Sequence, residues 1–121
     1  MLRESNAEFN EKFRKRTFQF ALSILKYLQH KKKILPYVVQ DQLSKSATSV
    51  GANFRAFCRG RSAKERYAKI CITVEEADET MYWIELIKEG EFDISSELEF
   101  FAKESDEITK VVSSIKKSYE R

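Results

Sequence analysis

At 121 residues, with 34% charged and 42% hydrophobic side chains but only three glycines and one proline, the chain has the composition of one domain built from long amphipathic helices, which excludes turn-rich sheet architectures. Its formal charge of +3 conceals a division: residues 1–72 carry 16 Lys/Arg against 5 Asp/Glu, whereas residues 73–121 carry 6 against 14. Basic and acidic surfaces must therefore coexist on one small fold, suited to a polyanion or to another copy of the chain.

In the first predicted element, Phe9, Phe13, Phe20, Ile24 and Tyr27 recur at helical spacing, with Thr17 filling the gap and Ala21 and Leu28 widening the stripe. Lys31, Lys32 and Lys33 suit a helix C-terminus, and Pro36 prevents simple continuation, so this helix is expected over about residues 6–33. The second, over 37–58, uses Val39, Leu43, Ala47, Val50, Phe54 and Phe57. Its centre, Ser46, Ala47, Ser49, Gly51 and Ala52, is a run of small residues. Gly51 alone costs about 1 kcal/mol relative to alanine in a helix. Close approach of another helix, from the same or a neighbouring subunit, would offset that cost, and Asn53 could fix register there by hydrogen bonding.

Cys58-Arg59-Gly60-Arg61 breaks the period, and Ser62 with Glu65 forms a capping box that opens a third helix over 62–89. Tyr67, Ile70, Val74, Ala77, Met81 and Ile84 give its stripe, and Gly90 a stop. Ser96 with Glu99 reads as a second capping box, opening a fourth helix over 96–119 along Leu98, Phe101, Ser105, Ile108, Val112, Ile115 and Tyr119. Short links between long helices make neighbours antiparallel, so the expected fold is all-α, an up-down-up-down four-helix bundle occupying 1–121 as one domain. Apolar residues beyond these stripes, Phe18, Leu22 and Leu25 early and Ile72, Trp83 and Leu86 later, suggest a second buried surface and hence an oligomer.

The run Ser46-Ala-Thr-Ser-Val-Gly-Ala-Asn-Phe-Arg-Ala56, the segment Cys58-Arg-Gly-Arg-Ser-Ala-Lys-Glu65 and the segment Glu75-Glu-Ala-Asp-Glu-Thr-Met-Tyr-Trp-Ile-Glu-Leu-Ile87 resemble, in order and spacing, the four-helix-bundle family also called the 23S ribosomal RNA intervening-sequence proteins. The likeness covers nearly all of residues 10–118 and departs at Arg66, where related chains carry an aromatic. It implies an antiparallel bundle assembled as a homopentameric ring, nucleic-acid binding and no enzymatic activity. A ring is made by head-to-tail contact of two different surfaces, for which opposite charges are suited.

For nucleic acid, RNA or DNA, the candidate residues are Arg55, Arg59, Arg61, Lys64, Arg66 and Lys69 around the second connection, with Lys45 extending them. Arginine forks and lysine ammonium groups contact phosphates and release counterions, and no base-reading motif accompanies them. For a subunit interface the candidates are Ser49, Gly51, Asn53, Glu75, Glu76, Glu79 and Trp83. An alternative without nucleic acid is a purely structural assembly protein. A further alternative is a magnesium-dependent all-α nucleotide pyrophosphohydrolase, because Glu75-Glu76-x-x-Glu79 resembles its cation-binding element, although only Glu104-x-x-Glu107 approximates the partner motif.

The single histidine, His30, excludes a di-iron bundle and leaves no nucleophile–base set. No catalytic residue, metal ligand, cofactor or small-molecule substrate is expected. Cys58 and Cys71 are too few for a disulfide framework, and no leader pattern or membrane-length apolar run stands in the chain, so a cytoplasmic protein without a membrane partner is expected.

Overall fold

The computed structural model describes residues 5–120. It contains α1 (Asn6–Lys31), α2 (Tyr37–Cys58), α3 (Ala63–Glu89) and α4 (Ser96–Tyr119). Each helix lies alongside two others, α1 and α3 both flanking α2 and α4, while the backbones of the diagonal pairs stay apart and α2 meets α4 edge-on through the rings of Phe57 and Tyr119 at 5.8 Å. Direction follows from links between opposite ends. Cys58 Sγ lies 3.8 Å from the Asn10 carbonyl, the Tyr67 hydroxyl donates to the Glu120 carboxylate at 2.7 Å, and the Tyr27 hydroxyl donates to Asp93 at 2.6 Å. The bundle is therefore antiparallel and runs up-down-up-down.

Local chemistry explains where the helices start. Ser5 and Ser62 accept the N–H groups of Glu8 and Glu65 at 3.1 Å, satisfying donors that the first turn leaves free. The Glu65 carboxylate reaches back to the Arg61 N–H at 2.8 Å, one residue before the cap. Pro36 is the N-cap of α2.

One boundary and the detail of two caps differ from the sequence expectation. α1 stops at Lys31, with Lys32 as C-cap, because Gln40 draws the Lys32 and Leu35 carbonyls into the connection at 2.9 and 2.7 Å. Ser95, not Ser96, caps α4 and accepts from the Leu98 N–H, since Asp93 holds both the Ser95 hydroxyl and its N–H. Gly90 caps α3 in a right-handed conformation, and the left-handed residue is Glu91, at φ 54°.

The core confirms every stripe residue expected on α2, all buried: Val39, Leu43, Ala47, Val50, Phe54 and Phe57. On α1, Phe9 is exposed, whereas Thr17 is buried. On α3 the seam runs through Ile70, Thr73, Ala77, Thr80, Ile84 and Ile87, and the expected Tyr67, Val74 and Met81 lie half-buried beside it. Thr73 and Thr80 are tolerated there because their hydroxyls donate to the Lys69 and Glu76 carbonyls at 2.8 Å, leaving no polar group unsatisfied.

Aromatic edges knit the helices together. Phe13 meets Phe54 across α1 and α2 at 4.9 Å, and Tyr27 meets Phe101 across α1 and α4 at 5.2 Å. At the α1–α2 crossing, a Cβ on Gly51 would sit 3.4 Å from the Thr17 carbonyl oxygen and 3.8 Å from Ala21 Cβ. The close approach anticipated from the small-residue run is thus made by α1 of the same chain.

α1 and α4 share the thinnest seam in the bundle, closed midway by Arg16, whose guanidinium bonds Glu104 in two places at 2.6 and 2.9 Å and lies 3.6 Å from Glu107. At its far end, Asp93 is buried and accepts from the Tyr27 hydroxyl, the Ser95 hydroxyl and the Ser95 N–H, with the Lys31 ammonium at 3.6 Å. This cluster ties the α3–α4 connection to α1. No helix among the described residues is long and apolar enough to cross a membrane.

Candidate nucleic-acid interface

The antiparallel order gathers the C-termini of α2 and α4 and the N-termini of α1 and α3 at one end of the molecule. Arg55 and Arg59 come from the last turn and cap of α2, Arg61 from the connection, and Lys64 and Lys69 from the start of α3, all five exposed. The Arg61 side chain is 90% accessible and only loosely paired with Glu65 at 3.9 Å. Among the described residues Arg55, Arg59, Lys64 and Lys69 make no ion pair. Cations beside the unsatisfied carbonyls of the α2 C-terminus are locally favourable, which explains why arginines sit there without carboxylate partners.

Arg66 plays a different part. Its guanidinium donates to the Gly60 carbonyl at 3.0 Å and to the Tyr119 hydroxyl at 3.1 Å, binding the α2–α3 connection to the end of α4. Its stem lies against residue 60 so closely that a Cβ there would approach Arg66 Cγ to 2.4 Å, so the position requires glycine. Lys45 is not brought into the group. It lies on the outer face of α2, paired with Asp41 at 3.1 Å, ten residues and hence about 15 Å along the helix from Arg55.

The fold adds two cations that sequence proximity did not offer. Lys116 and Lys117 occupy the last turn of α4, which Arg66 and Tyr67 hold beside the start of α3 through Tyr119 and Glu120. An even number of antiparallel helices was the available signal, because it returns the last turn of α4 to the α2–α3 connection.

Beside this end, an open groove of about 930 Å³ separates the start of α1 from the end of α4, with Phe9, Phe57, Cys58, Ile115 and Tyr119 among its walls. Burial raises the Cys58 thiol above its ordinary pKa despite the nearby Arg14, which makes it a poor nucleophile. Both cysteines are free.

The residues proposed for subunit contact divide among three places. Gly51 belongs to the α1–α2 crossing. Since Gly51 and Cys58 mark the α1-facing side of α2, Ser49 and Asn53 fall on its α3-facing edge, where both are half-buried and the Asn53 amide donates to the Ser49 carbonyl at 2.9 Å. Tyr67 and Lys88 mark the α4-facing side of α3 through Glu120 and Glu99, which puts Glu76 and Trp83 on the edge toward α2. Trp83 is half-buried, meets Tyr82 edge-on at 5.0 Å and has no hydrogen-bond partner for its indole N–H among the described residues. Glu75 and Glu79 are exposed on the outer surface.

Burial, then the charges of Glu79 and Glu75, raises the Glu76 carboxyl above the usual carboxylate range. Glu104 and Glu107, the carboxylates considered as a partner motif, are engaged by Arg16. No three His, Cys, Asp or Glu among the described residues gather as metal ligands.

The model of the 23S rRNA-intervening sequence protein family matches residues 10–114. The chain belongs to that family. A solved member, described as a protein with unknown function from the S23 ribosomal protein family of Bacteroides thetaiotaomicron, shares 32% identity over 89% of this chain and 97% of its own, with a TM-score of 0.78. No curated protein matches. Membership thus agrees with the fold and with the segments that first suggested it.

Proposed function

We propose that this protein is a non-enzymatic, self-associating four-helix bundle that binds the backbone of a nucleic acid through its basic end. One observation carries the reading: Arg55, Arg59, Arg61, Lys64 and Lys69 gather with Lys116 and Lys117 at one end of the bundle, where they outnumber the carboxylates of that end, Glu8, Glu11, Glu65 and Glu120. Such a surface attracts polyanions and gains affinity by releasing their counterions, without reading base edges. Family membership makes RNA the first ligand to test, since the family is described by a 23S rRNA intervening sequence. Self-association follows from the apolar residues left outside the core and from the segregated charge, with a five-membered ring as the form implied by the resemblance. A cytoplasmic setting fits both free thiols and an RNA ligand.

The test is fluorescence anisotropy with labelled single-stranded and duplex RNA across a salt series. Contact with four or five phosphates gives a slope of log affinity against log salt of roughly −3 to −5. Arg59→Glu combined with Lys64→Glu should flatten that slope while leaving helix content unchanged. No binding at low ionic strength would refute the nucleic-acid reading and leave an assembly protein alone.

A further inference from the structure

Two helices on a diagonal of the bundle carry apolar stripes facing away from the core. α1 turns Phe18, Leu22 and Leu25 outward at steps of four and three, with Phe18 55% and Leu25 43% exposed and Leu22 half-buried. Exposed Lys15 and Lys26 bracket them. α3 turns Ile72, Tyr82 and Leu86 outward, 37%, 53% and 37% exposed, interleaved with exposed Glu75 and Glu79. None of these four charged side chains makes an ion pair among the described residues.

Because α1 and α3 occupy a diagonal of the bundle, the two faces look in opposite directions. One chain cannot bring them together, whereas two copies can. We infer that the outer face of α1 docks on the outer face of α3 of a second copy. The inference rests on the self-association reading above and names its surfaces.

Complementarity selects this pairing over its alternatives. Two α1 faces would oppose Lys15 and Lys26 to themselves, and two α3 faces would oppose Glu75 and Glu79 to themselves, so both symmetric contacts carry like-charge repulsion. The mixed contact places ammonium groups beside carboxylates around an apolar centre. It is heterologous, and it leaves one free face at each end of a pair, so addition continues until rotation closes a ring. α1 and α3 point the same way along the bundle, so a ring axis parallel to the helices keeps the contacting helices parallel.

The test is light scattering on the full chain and on charge reversals confined to exposed positions, with helix content followed by circular dichroism. The wild type should exceed the 14.2 kDa of one chain. Lys15→Glu with Lys26→Glu, or Glu75→Lys with Glu79→Lys, should each weaken association at least tenfold. The chain carrying all four changes should assemble again, and an equimolar mixture of the two reversed proteins should form particles containing both. Reversed proteins that keep the wild-type mass would overturn the assigned faces while leaving self-association intact, as would a folded four-fold variant that stays dissociated. A wild type of 14.2 kDa at every concentration would instead remove self-association itself, and the inference with it.

Discussion

Replacing Tyr27 by phenylalanine deletes one oxygen atom from a fully buried ring and leaves its aromatic contact with Phe101 in place. That oxygen donates to the Asp93 carboxylate at 2.6 Å. A hydrogen bond to a charged partner contributes about 1.5–3 kcal/mol, and Asp93 keeps the Ser95 hydroxyl and N–H and the Lys31 ammonium in the variant. At roughly 3–6 °C per kcal/mol for a domain of this size, the melting temperature should fall by roughly 5–18 °C.

Burial and then the bond to Asp93 hold the Tyr27 hydroxyl far above its ordinary pKa, so it remains a donor throughout the accessible range. For Asp93, burial works against ionisation, but the bonds from Tyr27 and Ser95 and the charge of Lys31 outweigh it and hold the carboxyl below its usual value. A depressed carboxyl stabilises the fold above its unfolded value of about 4, and that contribution is lost as pH falls through the folded value. Urea unfolding at fixed protein concentration should therefore show the full gap between wild type and Tyr27→Phe at pH 7, closing in strong acid. A gap below about 0.5 kcal/mol at neutral pH, or one that widens with acid, would refute this account of the cluster.

Gly51→Ala should raise stability by up to about 1 kcal/mol, read from the thermal midpoint, because the added methyl meets the Thr17 carbonyl at ordinary contact distance while the helix gains propensity. Arg16→Met leaves Glu104, whose side chain is 15% exposed, without its bidentate partner and should cost roughly 1–2 kcal/mol. Amide exchange in the facing halves of α1 and α4 should accelerate with it. Ser62→Ala removes the acceptor for the Glu65 N–H and should lower stability by about 1 kcal/mol in denaturant titrations, with threonine at the same position largely restoring it.

How far the sequence could be read depended on whether polarity and burial agreed locally. On α2 they agree, and every stripe residue lies in the core. On α3, Thr73 and Thr80 are polar by type yet satisfied by carbonyls one turn back, so apolar spacing drifted toward Tyr67, Val74 and Met81. The range of α4 was legible but its cap was misplaced by one residue, because the choice between Ser95 and Ser96 is made by Asp93, itself fixed by Tyr27 from 66 positions away. The cationic candidates around residue 60 were legible because they lie within fifteen positions of one another. Lys116 and Lys117 were not, because only tertiary packing brings them near. Arg66 was legible as a charge but not as a brace, since its partners are a carbonyl and a phenol.

Four antiparallel helices return the backbone to the side it left, so Ser5 and Glu120 emerge at the same pole as Arg59 and Lys64. A fluorophore or affinity handle attached near either of these residues would hang over the basic surface proposed to meet phosphate and would report on its own obstruction. Labels at the opposite pole, on Ile34 or Ile94, which are 49% and 85% exposed, leave that surface clear.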